Sequence, residues 1–387
     1  MNRRLYNVYT LTSAFRIAGD SIESVALPWS LLQSTGSLVS IGGFALFTHL
    51  PWVILPPLLG RTLDRTAKKV RLAFVALLLQ SLLAVLIVPL SSNVWAFYLL
   101  VSGISALDIL HRYYGLSLIA TMTFEESELQ RLNATLATVG NAVSLVAFPV
   151  AGFLAYRFGI KAMLLDAVLL LIGAVSLLPY LGIELTSERT GEIKATYRPS
   201  VFSRKLVLGV LVSVLLFNFA LGSFRIFVFA SLRTLEEGEV IYGILQSLTT
   251  AGSLVAVAGL TYLASRRGVG LKRPLITGMI LQSVALLLAG LPAVVALFPA
   301  VLLVGFGGEL LNVSFDSLMQ KVVPLESLGT VRGIFDALAT LVIPISQLTF
   351  AWTIEKSSKI YVLAIVAFSL ALTASLLFEE LLRETKV

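Results

Sequence analysis

The chain has 387 residues, of which 57% are hydrophobic and 13% charged, with a mean hydropathy of +0.92. No water-soluble fold of this length hides so much apolar surface, which excludes a soluble globular protein. The lack of cysteine excludes disulfides, thiol chemistry and thiolate metal ligation, and the net charge of +7 takes its meaning from where the basic residues fall.

A helix needs about 20 mostly apolar residues to cross about 30 Å of hydrocarbon. Stretches of this kind fill the chain at 8–33, 37–60, 71–90, 94–122, 131–156, 160–182, 206–232, 240–264, 273–290, 293–320, 330–354 and 360–381. All are predicted as helices, because barrel strands are shorter and alternate apolar with polar residues. The fold class expected is an all-α membrane protein with twelve transmembrane helices. Arg3 and Arg4 precede the first stretch as they would in a signal peptide. No small-residue cleavage site follows and many more spans do, so the first span is expected to be retained.

With both termini on the cytoplasmic side, 21 of the 29 basic residues fall in cytoplasmic segments. Five fall outside (Arg157, Lys161, Arg233, Lys356 and Lys359), and Arg16, Arg112 and Arg225 lie within spans. That asymmetry predicts a multi-pass protein of the cytoplasmic (inner) cell membrane with both termini inside. The positive net charge then reflects topology and anionic headgroups rather than nucleic acid.

The longest polar gap, 183–205, carries Glu184, Glu188, Arg189, Glu192 and Lys194. It reads as a cytoplasmic linker between a six-helix bundle over 1–182 and a second over 206–387. The halves repeat weakly at an offset near 200 residues. Gly19 falls near Gly222, Gly60 at Gly259, and the stretch 126–134 matches 325–333. Paired six-span repeats about an axis along the membrane normal are characteristic of transporters.

The second span ends in LLGRTLDRTAKKVRL over 58–72. Gly60 permits close helix approach, Asp64 suits a neighbouring helix N-terminus, and Arg65, Lys68 and Lys69 form a cationic cluster. This loop resembles that of the major facilitator superfamily, whose pattern G-x-L-x-D-R-x-x-R/K-R/K is followed or nearly so by Gly60, Leu63, Asp64, Arg65, Lys68 and Lys69. Arg266 and Arg267 occupy the pseudo-equivalent place in the second half, without an acid matching Asp64. Gly19–Asp20 in the first span, Pro51, and Arg131–Leu132–Asn133–Ala134 entering the fifth are similar to the drug:proton antiporter branch, which includes macrolide efflux proteins and the enterobactin exporter. Two departures stand out: Phe148–Pro149 replaces the branch's Gly-Pro pair in the fifth helix, and His111, Arg112, Tyr113 and Tyr114 replace a proline in the fourth. The resemblance implies twelve helices in two pseudo-symmetric halves, alternating access, and a latch role for Gly60, Asp64, Arg65, Lys68 and Lys69.

Ionisable groups at bilayer depth are costly and mark cavities or partners. Arg16, Asp20 and Glu23 share the first span at i, i+4, i+7. Asp108, His111 and Arg112 share the fourth at i, i+3, i+4. Arg225 stands alone on the seventh, and Glu309, Asn312 and Asp316 share one stripe of the tenth. By the resemblance these four helices line the central cavity. Asp20 lies about 18 Å deep on the helical rise, with Asp108 and Glu309 at similar depth, so the three are expected to meet in one cavity. Local pairing of Asp20 with Arg16, or of Asp108 with Arg112, is the structural alternative to proton exchange. Glu23 and Glu309 have no local basic partner and are candidates for proton or cation binding. Arg225 either neutralises an acid or binds an anionic substrate group. Phe15, Trp29, Tyr113, Tyr114, Phe217 and Phe224 offer aromatic surface to lipophilic cations.

No phosphate-binding glycine loop, metal-protease helix or nucleophile elbow is present. The expected function is therefore not enzymatic, and no cofactor or resident metal is implied. The reading is a monomeric secondary transporter that exports a small amphipathic or cationic compound in exchange for protons. Export of a divalent metal through Asp20, Glu23 and Asn312, or of a lipid or siderophore held by Arg225 and Arg112, stays open beside it. A membrane-embedded enzyme is the more distant alternative.

Overall fold

The computed structural model describes residues 3–64, 68–122, 126–184, 204–267, 270, 272–322, 325–357 and 359–384. Within these, the side chains of residue 3 and of 57–64, 112–122, 126–131, 204–208, 264–267, 320–322, 325–334 and 383–384 lie outside the description. Among the described residues there are twelve α-helices and no strand. In chain order they are α1 (Arg3–Thr35), α2 (Leu38–Asp64), α3 (Lys69–Leu90), α4 (Val94–Met122), α5 (Glu126–Phe158), α6 (Met163–Ser176), α7 (Arg204–Leu232), α8 (Gly238–Arg267), α9 (Lys272–Ala289), α10 (Leu297–Val322), α11 (Leu325–Ser357) and α12 (Ile360–Glu384).

Ten stretches are long and apolar enough to cross a membrane, with α5 and α6 running together as one stretch over Leu132–Tyr180. The helix outside that set is α1. Its centre carries Arg16, Asp20 and Glu23, which make it less apolar than the other long helices. Helix α2 continues to Asp64 and α5 and α11 begin at Glu126 and Leu325, a turn or more beyond the predicted spans. Hydropathy sees only the apolar part of a helix, whereas the backbone ladder continues into polar turns. Conversely, α6 is shorter than its predicted span, because 3-10 turns at Gly159–Ala162 and Leu178–Tyr180 flank it. Helix α1 ends at Gly36, whose φ of +66° takes the left-handed conformation that glycine tolerates. Its N–H reaches the Leu32 carbonyl at 2.7 Å.

The chain divides into two units. The first comprises Met1–Gly36, Leu46–Gly191 and Glu237–Ser247, and the second Ser37–Ala45, Glu192–Glu236 and Leu248–Val387. Within the first, α1 packs on α5 and α6, and α3 packs on α4 and α6. Within the second, α7 packs on α11 and α12, and α9 packs on α10 and α12. Each packing partnership thus recurs six helices later, so the weak sequence repeat corresponds to a repeat of packing.

Each unit contains a short stretch of a helix whose remainder belongs to the other. In the second unit, Glu355 of α11 accepts hydrogen bonds from the Ser37 hydroxyl at 2.8 Å, from the Val39 N–H at 3.3 Å and from the Leu38 N–H. A carboxylate thereby caps the positive end of α2. Gly42 lies one turn further on, and a Cβ there would come within 2.8 Å of the Leu348 backbone. In the first unit, the Gln33 amide donates to Glu239. There too Gly152 of α5 meets Gly243 of α8, where a Cβ on Gly243 would fall 2.4 Å from the Phe148 carbonyl. Small residues at both places let helix backbones approach in the manner of membrane bundles.

Candidate functional site

The first unit brings its intramembrane charges together around Arg16. One guanidinium nitrogen, Nη1, donates to Asp108 of α4 at 2.5 Å and also to Asp20, one turn along α1. The i, i+4 spacing on α1 produces the local pair. The partner of Asp108 is Arg16 of another helix rather than its own neighbour Arg112, whose side chain lies outside the described residues. The three side chains are 16%, 33% and 25% exposed, so the cluster is neither sealed in the core nor open to solvent. Two carboxylates share one cation, and a unit of negative charge is left over when both are ionised. Glu23 continues the same face of α1 and has no hydrogen bond or ion pair among the described residues.

His111 is fully buried, and neither ring nitrogen has a hydrogen-bond partner among the described residues. Its ring stacks on Tyr9 with centroids 6.0 Å apart and planes 19° off parallel. This geometry is that of a packing residue joining α1 to α4.

The structure adds an acid from outside the four helices on which the sequence concentrates its intramembrane charges. Asp166 of α6 is 1% exposed, and both carboxylate oxygens are buried without a hydrogen-bond partner among the described residues. It lies against Gly19, the neighbour of Asp20, where a Cβ would fall 2.2 Å from its Oδ1. Gly19 thus provides the room for this carboxyl. The available signal was an acid inside the otherwise apolar run Met163–Ser176. An unpartnered buried carboxyl contributes nothing to offset its own desolvation. Asp166→Asn is therefore expected to leave the thermal unfolding midpoint unchanged or raise it. If an unrecognised donor held the carboxylate, the substitution would instead cost roughly 1–3 kcal/mol, and the midpoint would fall.

In the second unit, Glu309 and Asp316 of α10 are part-buried and Asn312 is exposed. Gly308, Asn312 and Phe315 line a cavity of about 170 Å³ together with Phe217 and Asn218 of α7 and Gln282 of α9. Arg225 of α7 lines an adjoining cavity. These residues belong to the second unit and the Arg16 cluster to the first.

Among the predicted latch residues, Lys68 is exposed just before α3 and Lys69 is 1% exposed within its first turn. Arg65 lies outside the described residues, as do the side chains of Gly60 and Asp64. Among the described residues no group of three or more histidines or carboxylates is arranged to hold a metal ion.

Residues 9–347 match the family model described as Major Facilitator Superfamily. No curated protein matches the chain. Several solved structures share its fold. The nucleoside transporter NupG superposes with a TM-score of 0.79 at 13% identity, covering 99% of this chain and 100% of that one. A bacterial homologue of the iron transporter ferroportin, in an inward-facing state, gives 0.72 at 18% identity over 98% and 99%. The POT family transporter PepTSo gives 0.72 at 11% identity over 100% and 99%.

Proposed function

Since the chain belongs to the major facilitator superfamily and is a membrane transporter, we propose that it exports a small amphipathic compound from the cytoplasm in exchange for protons. The observation that carries this reading is the sharing of one Arg16 nitrogen by Asp20 and Asp108. A proton arriving on either carboxyl removes one claim on the guanidinium and strengthens the other. Protonation of Asp20 leaves Arg16 committed to α4, and protonation of Asp108 leaves it committed to α1. Loading a proton thereby biases the coupling between two helices, as an alternating-access transporter requires.

The excess of basic residues in alternate segments supports a cytoplasmic-membrane protein with both termini inside. Similarity of the first and fifth spans to the drug:proton antiporter branch supports export. Asp20 and Glu309 are the leading proton sites, with Glu23 behind them.

The test uses proteoliposomes of opposite orientation to the cell, with an acidic lumen containing a pH dye. A permanently charged quaternary ammonium and a permanently charged aryl sulfonate are each added outside, so that neither carries protons across lipid by itself. Wild-type protein should speed loss of luminal protons with at least one of them, and Asp20→Asn should abolish that flux. Proton loss equal to that of empty liposomes with both probes would set aside proton-coupled export of amphipathic ions. Undiminished flux in Asp20→Asn would move the proton site elsewhere.

A further inference from the structure

Arg225 differs from Arg16 in having no acid paired with it among the described residues. Among the described residues it makes no ion pair and no hydrogen bond, and its buried Nε is without a partner. Its guanidinium instead faces two aromatic rings, with the central carbon 5.6 Å from the Phe44 centroid and 5.7 Å from that of Phe229. Ring faces attract a guanidinium and fix its plane but leave its charge uncompensated.

The space beside this cation is a cavity of about 160 Å³. Gln347 of α11 lines it, is 3% exposed, and has a buried carbonyl oxygen with no hydrogen-bond partner among the described residues. A nitrogen of Arg225 and an oxygen of Gln347 are thus both buried without a hydrogen-bond partner among the described residues, and both side chains line one cavity. A primary amide presents either its oxygen or its NH₂ by turning about its last bond, so Gln347 can donate alongside Arg225. A planar fork of N–H donors plus an amide N–H is the donor set that a carboxylate takes.

The cavity adjoins the one of about 170 Å³ described above, and Asn218 and Leu221 line both. Beyond Asn218 the second cavity is bounded mainly by Phe217, Leu275, Met279 and Phe315. The cationic end and the apolar end thus follow each other along α7.

We infer that Arg225 and Gln347 form an anion subsite that takes the carboxylate of an organic acid whose apolar body extends past Asn218. This deepens the transport reading and rests on it, since it names the class of amphipathic compound carried. It also separates the two roles left open for Arg225, assigning it to substrate and not to neutralising a protein acid.

The experiment measures binding without any gradient, so it fails or succeeds independently of proton coupling. The full chain, in lipid nanodiscs, is titrated with phenylbutyrate, phenylbutyramide and phenylbutylamine, which share one body and differ in head charge. Affinity is read from the rise in thermal unfolding midpoint with concentration. The acid should bind at least about tenfold more tightly than the amide or the amine. Arg225→Gln should bring the acid to the level of the amide, and Gln347→Leu should weaken the acid while leaving the amide nearly unchanged. Arg225→Lys, which keeps the charge without the fork, should fall between wild type and Arg225→Gln, and it provides the comparison if Arg225→Gln fails to fold. Equal binding of acid and amide, preference for the amine, or unchanged acid binding in Arg225→Gln or Gln347→Leu would each overturn the assignment.

Discussion

Arg16→Met should destabilise the protein and abolish proton-driven transport together, whereas a charge-free version of the same cluster should recover only the stability. Removing the cation leaves Asp20 and Asp108 facing one another across α1 and α4 with no compensation. Breaking a fully buried pair costs roughly 3–5 kcal/mol. The carboxylates here are 33% and 25% exposed, so solvent screens part of the penalty and a loss of roughly 1–3 kcal/mol is expected. Combining Arg16→Met with Asp20→Asn and Asp108→Asn removes the repulsion as well and should return the unfolding midpoint near wild type. Proton flux should stay absent, because neither carboxyl that shares the Arg16 cation remains. Thermal unfolding and luminal pH in the same preparations read the two effects. An Arg16→Met protein as stable as wild type would show that the shared cation does not hold α1 to α4.

Gly305→Val should be the most damaging single change in the second unit. A Cβ at Gly305 would fall 1.9 Å from the Thr249 carbonyl oxygen, and one at Gly252 would fall 2.5 Å from that of Leu302. Here α8 and α10 meet backbone to backbone, and a carbonyl in a helix cannot swing aside as a side chain does. Overpacking typically costs 1–3 kcal/mol; with backbone as the obstacle, roughly 3 kcal/mol or more is expected, seen as loss of monodisperse protein or a sharply lowered midpoint. Gly259→Ala on α8 is the control. Nothing lies within 4 Å of a Cβ there, so the change should be neutral or slightly stabilising through helix propensity. Equal tolerance of both substitutions would contradict the close crossing.

The helices were legible because apolar length is written directly into the chain, and the pairing of Arg16 with Asp20 follows from helical spacing alone. The reach of Arg16 to Asp108 was not legible in that way. Asp108 has Arg112 on its own helix, and spacing along one helix says nothing about which neighbouring helix supplies a competitor. Asp166 shows a second limit. It sits in the room left by the missing side chain of Gly19, a residue of another helix that only packing brings beside it. Gln347 shows a third. An uncharged amide is one polar residue among several in α11, and its interest lies wholly in the unpartnered oxygen on a cavity that Arg225 also lines.

The stretches that each unit takes from elsewhere in the chain bear on how the protein is made. Residues 37–45 are synthesised among the first helices, yet Glu355 and Leu348, which cap and cover them, emerge only with the penultimate helix. The first unit likewise waits for residues 237–247 before Gln33 and Gly152 gain their partners. Neither unit is finished when the first six helices have left the ribosome. Biogenesis must therefore keep the start of α2 soluble in lipid and uncapped through most of translation. Premature release of a nascent chain before α11 would yield a product lacking the second unit's early-made stretch in its place, a ready substrate for membrane quality control.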